Sequence, residues 1–425
     1  MKNYKINNGV ILSFRDDMIV TEPRTLYVRE GKITFSPFGE NESYETVDAS
    51  RRLIMPGLIN MHTHVYMTLM RNYADDVPFQ EWLFNRVMPV EDNLPAEAAY
   101  WTSMLGYLEM ISTGTTCFVD MHMYHRQPPL AARDAGIRAY IGRGLVGDEL
   151  YEGSGSRFSQ ALEEKEEFES DTLKFMLAPH AIYTCSPLFL QQVAEEAGTR
   201  GMLKEIHLSE SVTEVEDCLK NYGKTPVQFL SDLGFLDENT ILAHCVQMRG
   251  NDLDILKASG ASVVTNVASN AKLGNGIAPV SRMKEMGINV CIGTDGAASN
   301  NTLNMFREMG LLSLMHKACT RDCLAIPSDY IVKAATFNAA RALKNPALGN
   351  IIEGAAADLI FIDLDAPSLF PNNNVISSLC YSANGSEVDS VMINGQFVMR
   401  KRELLTIDKE RVYYEVGKIV KENIK

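Results

Sequence analysis

From about Leu58 to Lys344 the chain repeats one pattern: a short, nearly continuous apolar run, then a longer stretch with apolar positions at helical spacing. The runs are Leu58–Met61, Thr116–Asp120, Ala139–Arg143, Phe175–Ala178, Leu203–His207, Ile241–His244, Ser262–Thr265 and Val290–Gly293. Strands apolar on both faces and alternating with helices belong to a parallel sheet. Eight of them close a (β/α)8 barrel, whose strand C-termini open onto the functional site. The ends of the chain read differently. Gly9–Phe14, Thr25–Val28 and Lys32–Phe35 are short strands punctuated by Asn-Gly and Glu-Gly turns, and Asp358–Ile362, Ser390–Ile393 and Gln396–Met399 repeat the pattern near the C-terminus. Asn394-Gly395 between the last two is a hairpin turn. The expected fold is therefore α/β, a distorted (β/α)8 TIM-type barrel over 56–349. Residues 1–55 and 350–410 are expected to form one small β-sandwich from both termini, and 411–425 a C-terminal helix. Phe158–Ser170, with the run Glu163-Glu164-Lys165-Glu166-Glu167, reads as a helix with a solvated acidic face and no function. No repeat of solenoid period and no low-complexity linker interrupts the chain.

Composition narrows the partners. A chain of 425 residues accommodates one barrel and a small satellite, and 46% hydrophobic with 22% charged residues is ordinary for a globular protein. The formal net charge of −14 argues against nucleic acid as a partner, because phosphate binding needs a basic surface. Eight cysteines lie scattered without a C-x-x-C pair, the closest being Cys319 and Cys323. That spacing suits buried thiols in a reducing compartment. The N-terminus has no apolar leader region, and no run approaches the length of a membrane span. A cytoplasmic protein with no membrane partner is expected, with a homo-oligomer left open.

The chemistry begins at His62-Thr63-His64, after Leu58–Met61. Residues two apart on a strand share a face, so both imidazoles can reach one ion. Alone, such a pair is more often structural. Here His207 ends Leu203–Ile206, His244 ends Ile241–Ala243, and Asp295 follows Val290–Thr294. Three imidazoles and a carboxylate suit a divalent, zinc-like ion with a position left for water. Such an ion lowers the pKa of water to about 7. Glu210, three residues past His207, is placed to give a proton to a leaving group or ring. Asp295 can take the water's proton, and His244 can orient the hydroxide. His122, His125 and His316 are not needed for this set. The methionines are core or pocket filler, those near His64 being candidates to line a thioether pocket.

The strings PGLINMHTHVYMTLMRNYADDVPFQEWL, AHCVQM, SNAKLGNGIAPV and IGTDGAASNNTLNMFREM resemble the amidohydrolase superfamily, and within it the 5-methylthioadenosine/S-adenosylhomocysteine deaminases. The resemblance spans nearly the whole chain. It implies one divalent metal ion, zinc first with Fe2+, Ni2+ or Mn2+ as alternatives, and hydrolytic loss of ammonia from adenine C6 of a small nucleoside substrate. By the same resemblance His62, His64, His207 and Asp295 are the metal ligands, and Glu210 and His244 handle protons. It further implies that Glu91 binds the ribose hydroxyls, and that Arg143, Arg157 and His180 bind substrate along with Glu210. Arg157 lies in the loop GSGSR. Two places depart from the pattern: Thr265-Asn266-Val267-Ala268-Ser269-Asn270 stands where relatives read His-Asn-Pro-x-Ser-Asn, and Asn72 where an Arg-Gly pair is usual. Both bear on the adenine and tail pockets rather than on the metal. The alternatives are hydrolysis of another aminated ring, such as guanine, a pterin or a triazine, and an inactive relative acting as a binding protein. Loss of ligands would mark the inactive relative, and none is missing. Zinc deaminases built on a Pro-Cys-x-x-Cys pair are excluded, since the chain has no such pair.

Overall fold

The computed structural model describes residues 1–14, 18–151, 153 and 155–424. Every apolar run of the repeating pattern is a strand: β1 Leu58–Thr63, β2 Thr115–His122, β3 Arg138–Leu145, β4 Leu173–Pro179, β5 Lys204–Leu208, β6 Thr240–His244, β7 Ser262–Thr265 and β8 Val290–Ile292. They pair in chain order, all parallel, with helices outside. Ile59, Met61, Val119, Tyr140, Met176, Ile241 and Val264 pack into one cluster inside the ring, so the barrel is a filled core and not a pore. Side chains help close the seam between β8 and β1. Asn60 Nδ2 donates to Thr294 Oγ1 (2.7 Å) while its Oδ1 accepts Thr294 N–H (2.9 Å), and Asp295 N–H donates to His62 O (2.9 Å). The fold is a (β/α)8 barrel, drawn tight where His62 and Asp295 face each other.

The chain ends meet in one ten-stranded sheet. Tyr4–Phe14 pairs with Arg24–Arg29, Glu45–Asp48 and Arg52–Pro56, and Arg52–Pro56 in turn pairs antiparallel with Leu359–Asp363. Ile6, Leu26, Val28 and Ile33 from one end share a core with Leu359, Phe361, Met392 and Phe397 from the other. The expected sandwich is thus hydrogen-bonded as one continuous sheet. Its joining strand, Arg52–Pro56, was not expected, because Leu53–Met61 reads as a single apolar run split only by Pro56-Gly57. Arg138, at the start of β3, ties sheet to barrel. Its guanidinium donates twice to Asp358 (2.6 and 3.0 Å), which also accepts Asn394 N–H (2.7 Å), and both side chains are buried. The C-terminal helix is Lys409–Asn423, capped by Asp408, with Arg411 over the Trp101 ring. Lys425 of the expected 411–425 helix lies outside the described residues.

Two expectations are corrected. Cys319 and Cys323 are exposed, while the other six cysteines are buried. The helix expected over Phe158–Ser170 is Arg157–Phe168, but its acidic run is not all solvated. Glu164 is fully buried, accepting Arg126 N–H (2.7 Å) and facing His122 Nε2 (3.2 Å). Among the described residues no helix is long and apolar enough to cross a membrane.

Candidate metal and substrate site

Five of the eight histidines gather at the C-terminal mouth of the barrel: His62 and His64 at the end of β1, His180 just past β4, His207 on β5 and His244 at the end of β6. Ring centroids of His62, His64, His207 and His244 lie 4.8–5.5 Å from their neighbours. The backbone is bent to achieve this. Ser209, His244, Cys245 and Asp295 have φ of 49°, 72°, 48° and 64°, left-handed conformations that non-glycine residues adopt only when their surroundings hold them. Gly293 is required by close approach, since a Cβ there would sit 2.8 Å from His62 N and 2.5 Å from Asn266 Oδ1.

Hydrogen bonds fix which nitrogen of each ring faces the centre. His64 Nδ1 and His207 Nδ1 donate to the carbonyls of Met121 and His180 (both 2.7 Å), which can only accept. Their neutral rings therefore turn bare Nε2 lone pairs inward, and these two atoms stand 3.1 Å apart with no proton between them. His62 Nδ1 is held by Glu205 Oε1 (2.7 Å), leaving its buried Nε2 without a hydrogen-bond partner. Asp295 Oδ1 lies 3.5 Å from His64 Nε2 and 3.7 Å from His62 Nε2. Ligand atoms of His62, His64 and His207 lie within 4.8 Å of one another. Buried lone pairs aimed at one point repel unless a cation lies among them, so this donor set fits a divalent metal ion. Protonation would not replace the ion, because burial lowers His62 to about 3 and drives His207 well below the usual imidazole range. His122, His125 and His316 take no part in the cluster.

Carboxylates complete the floor. Asp295 Oδ2 accepts Ser269 Oγ–H (2.6 Å) and Ser299 Oγ–H (2.9 Å). Burial raises its pKa, but His244 and the Ser269 hydroxyl outweigh that and hold it ionised, well below the carboxylate range. Glu210 is the reverse case: burial, with Asp295 adding, lifts it to about 7 against the pull of His244 and of Asn275, whose amide donates to Oε1 (2.9 Å). Its Oε2 lies 3.8 Å from His244 Nε2. His244 is itself oriented by Nδ1 donation to Asn270 Oδ1 (2.8 Å). Burial disfavours its charged form, yet Glu210 and Asp295 leave its pKa raised. Ser269 and Asn270, the end of the departing motif, thus hold Asp295 and His244, while Asn72 lies at the surface beside Asn301.

Above this floor opens a cavity of about 320 Å³ reaching His64, His180, His207, Glu210, His244 and Asp295. Its walls include Phe79, Trp82, Leu83, Met67, Met88 and Met123, so three of the methionines do face the cavity. Glu91 reaches it, with Tyr66 Oη–H donating to its Oε1. Burial lifts Glu91 to about 7, the Tyr66 hydroxyl and Arg157 opposing. Arg157, first residue of its helix, reaches it too, donating to Gly144 O (3.0 Å). Part of its loop, Ser154, lies outside the described residues. His180 lines the cavity, its Nδ1 3.0 Å from Thr184 Oγ1. Arg143 does not line it. It shares strand parity with Ala139, Ile141 and Leu145, which pack between barrel and helices, and is buried there near Glu164. Sequence reasoning also missed Glu205, Asn270, Ser269 and Ser299. Glu205 alone carried a signal, as a charged residue inside a buried strand two positions before His207.

Residues 53–398 match the amidohydrolase family, and the chain belongs to it. Among curated relatives it is 42% identical to the 5-methylthioadenosine/S-adenosylhomocysteine deaminase of Caldanaerobacter subterraneus subsp. tengcongensis, over 98% of this chain and 97% of that one. It is 40% identical to the enzyme of the same name from Thermoanaerobacter pseudethanolicus, over 99% of both. The crystal structure of an adenosine deaminase from Xanthomonas campestris with bound zinc superposes with a TM-score of 0.93 at 29% identity, covering 99% of this chain and 98% of that one.

Proposed function

We propose that this chain is a metal-dependent hydrolytic deaminase of adenosine-type nucleosides, 5-methylthioadenosine, S-adenosylhomocysteine and adenosine, replacing the 6-amino group by oxygen with release of ammonia. The observation that carries it is the meeting, on one cavity floor, of the buried Glu210 carboxyl, 3.8 Å from His244 Nε2, with inward-facing lone pairs that fit a divalent ion. The names of the relatives support the substrate class. His62, His64, His207 and Asp295 would hold the ion, Zn2+ first, with Fe2+, Ni2+ or Mn2+ as alternatives. When bound, that ion supplies an acidified water and a Lewis acid.

This chain's own groups do the rest. Burial lifts the Glu210 carboxyl toward neutrality, which makes its protonated form accessible. A carboxyl in that state can donate to the ring nitrogen beside C6 while C6 gains oxygen. Asp295 stays ionised and can accept the water's proton, and His244, held through Nδ1 by Asn270, keeps Nε2 3.8 Å from Glu210 Oε2. The amino group leaves as ammonia once that proton is passed to it, so one water is consumed for each ammonia released. Glu91 accepts the ribose hydroxyls, which favours a nucleoside over a bare base. His180 closes the cavity floor on the substrate. Arg157 stands where the 5′ substituent projects, beside the sulfur of Met123 (3.0 Å). Arg143, outside the cavity, is given no contact with substrate.

A spectrophotometric screen of adenosine, 5-methylthioadenosine, S-adenosylhomocysteine and guanine tests this reading. Deamination of the adenine nucleosides and not of guanine is expected. Turnover of guanine alone would overturn it.

A further inference from the structure

We propose that Glu214 is a positioning residue of this site: its carboxylate grips the backbone N–H groups of Ser209 and Glu210 and so sets the direction of the Glu210 side chain. The proposal rests on the deaminase reading for what Glu210 does. Strand β5 ends at Leu208 and the next helix begins at Val212, leaving three residues to turn the chain and aim Glu210 at the cavity. Ser209 makes the turn with a φ of 49°, a conformation its own side chain does not favour. Both oxygens of Glu214 hold it: Oε1 accepts Ser209 N–H (2.8 Å) and Oε2 accepts Glu210 N–H (2.7 Å). Glu214 is buried, so these bonds are shielded from water and directional.

The ordinary role of a glutamate here is helix capping. Glu214 is the third residue of the helix, and its N–H donates to the cap residue Ser211 (3.2 Å). In a capping box the carboxylate would return to the N–H of the cap residue itself. Here it reaches past Ser211 to the two residues before it. The same kink holds a second group: Ser209 O accepts N–H from Val246 (3.0 Å) and Gln247 (2.8 Å), just after His244. One carboxylate therefore steadies the segment carrying Glu210 and, through Ser209, the loop that follows His244.

The experiment compares zinc-loaded wild type, Glu214→Gln, Glu210→Gln and the double variant, with metal content, melting midpoint, KM and kcat for each. Glu214→Gln should keep its metal and a KM within about twofold, while kcat falls about 10–100-fold, the scale of an ångström-level misplacement. Added to Glu210→Gln, it should change kcat by less than about twofold, because there is no acid left to misplace. Losses that multiply in the double variant, or an unchanged kcat with only a lower melting midpoint, would overturn the proposal. If Glu214→Gln does not fold, Glu214→Asp keeps the charge and shortens the reach by one methylene. It should lower kcat in the same sense, and a wild-type kcat would count against the clamp. Amide hydrogen exchange gives a readout independent of substrate: the Ser209 and Glu210 N–H groups should exchange faster in either variant. Unchanged exchange would refute the clamp even if the enzyme is an active deaminase. Faster exchange in a protein that deaminates nothing would leave the clamp standing and refute the function.

Discussion

Glu91 offers the sharpest test of how substrate is held. Its carboxyl is buried, and in the free site burial pushes its pKa up to about 7. Ribose hydroxyls donate hydrogen bonds, so nucleoside binding selects the ionised form and pulls its pKa down. The sign follows. Affinity is full above about 7, where the free site is already ionised, and is lost as pH falls, about tenfold for each unit below 7 until the bound-state pKa is reached. The total loss equals the strength of the charged hydrogen bonds, roughly 1.5–3 kcal/mol, or about 10–100-fold. The assay is equilibrium binding of the 6-oxo product nucleoside across pH in a Glu210→Gln background, so that the other cavity carboxyl lifted toward neutrality does not contribute. A nucleoside lacking the 2′- and 3′-hydroxyls should bind weakly with little pH dependence, and Glu91→Gln should flatten the curve for the parent compound. A pH-independent dissociation constant for the full ribonucleoside in the Glu210→Gln protein would refute the role of Glu91.

The other predictions are briefer. Glu205→Gln should weaken metal binding about 10–100-fold in chelator competition, because it removes the carboxylate that orients His62, and unchanged affinity would contradict that. Arg157→Ala should lower kcat/KM for S-adenosylhomocysteine about tenfold or more, the scale of a lost charged hydrogen bond to its α-carboxylate. It should leave 5-methylthioadenosine far less affected, and equal losses on both would make Arg157 a support for the loop or ribose. Asp358→Ala should destabilise the fold by about 3–5 kcal/mol in denaturant titration, since it strands the buried Arg138 guanidinium, and a shift under about 1 kcal/mol would refute that.

The barrel was legible because its strands are buried on both faces and read as apolar runs between helices. The histidine cluster was legible because His62 and His64 share strand parity and each further candidate ends a run. Parity also explains why Arg143 lies off the cavity wall. Its position at a strand end suggested the cavity, but its face is that of Ala139 and Ile141. Glu164 stood in a block of charge, and the block hid its place on the helix face of Phe158, Ala161 and Phe168, all buried. Asn270 and Ser269 act through tertiary hydrogen bonds to imidazole and carboxylate, for which linear spacing carries no mark, and Glu214 reads as an ordinary helix-start glutamate. Arg52–Pro56 was hidden by its continuity with β1, and its role in joining the two chain ends appears only once those ends meet.

Ammonia release from 5-methylthioadenosine by chelator-treated protein, before and after one equivalent of Zn2+ per chain, tests the central claim most directly. Turnover should disappear with the metal and return with it, and Fe2+, Ni2+ or Mn2+ in its place would show which ion serves best. Full turnover by protein shown to be metal-free would contradict the account.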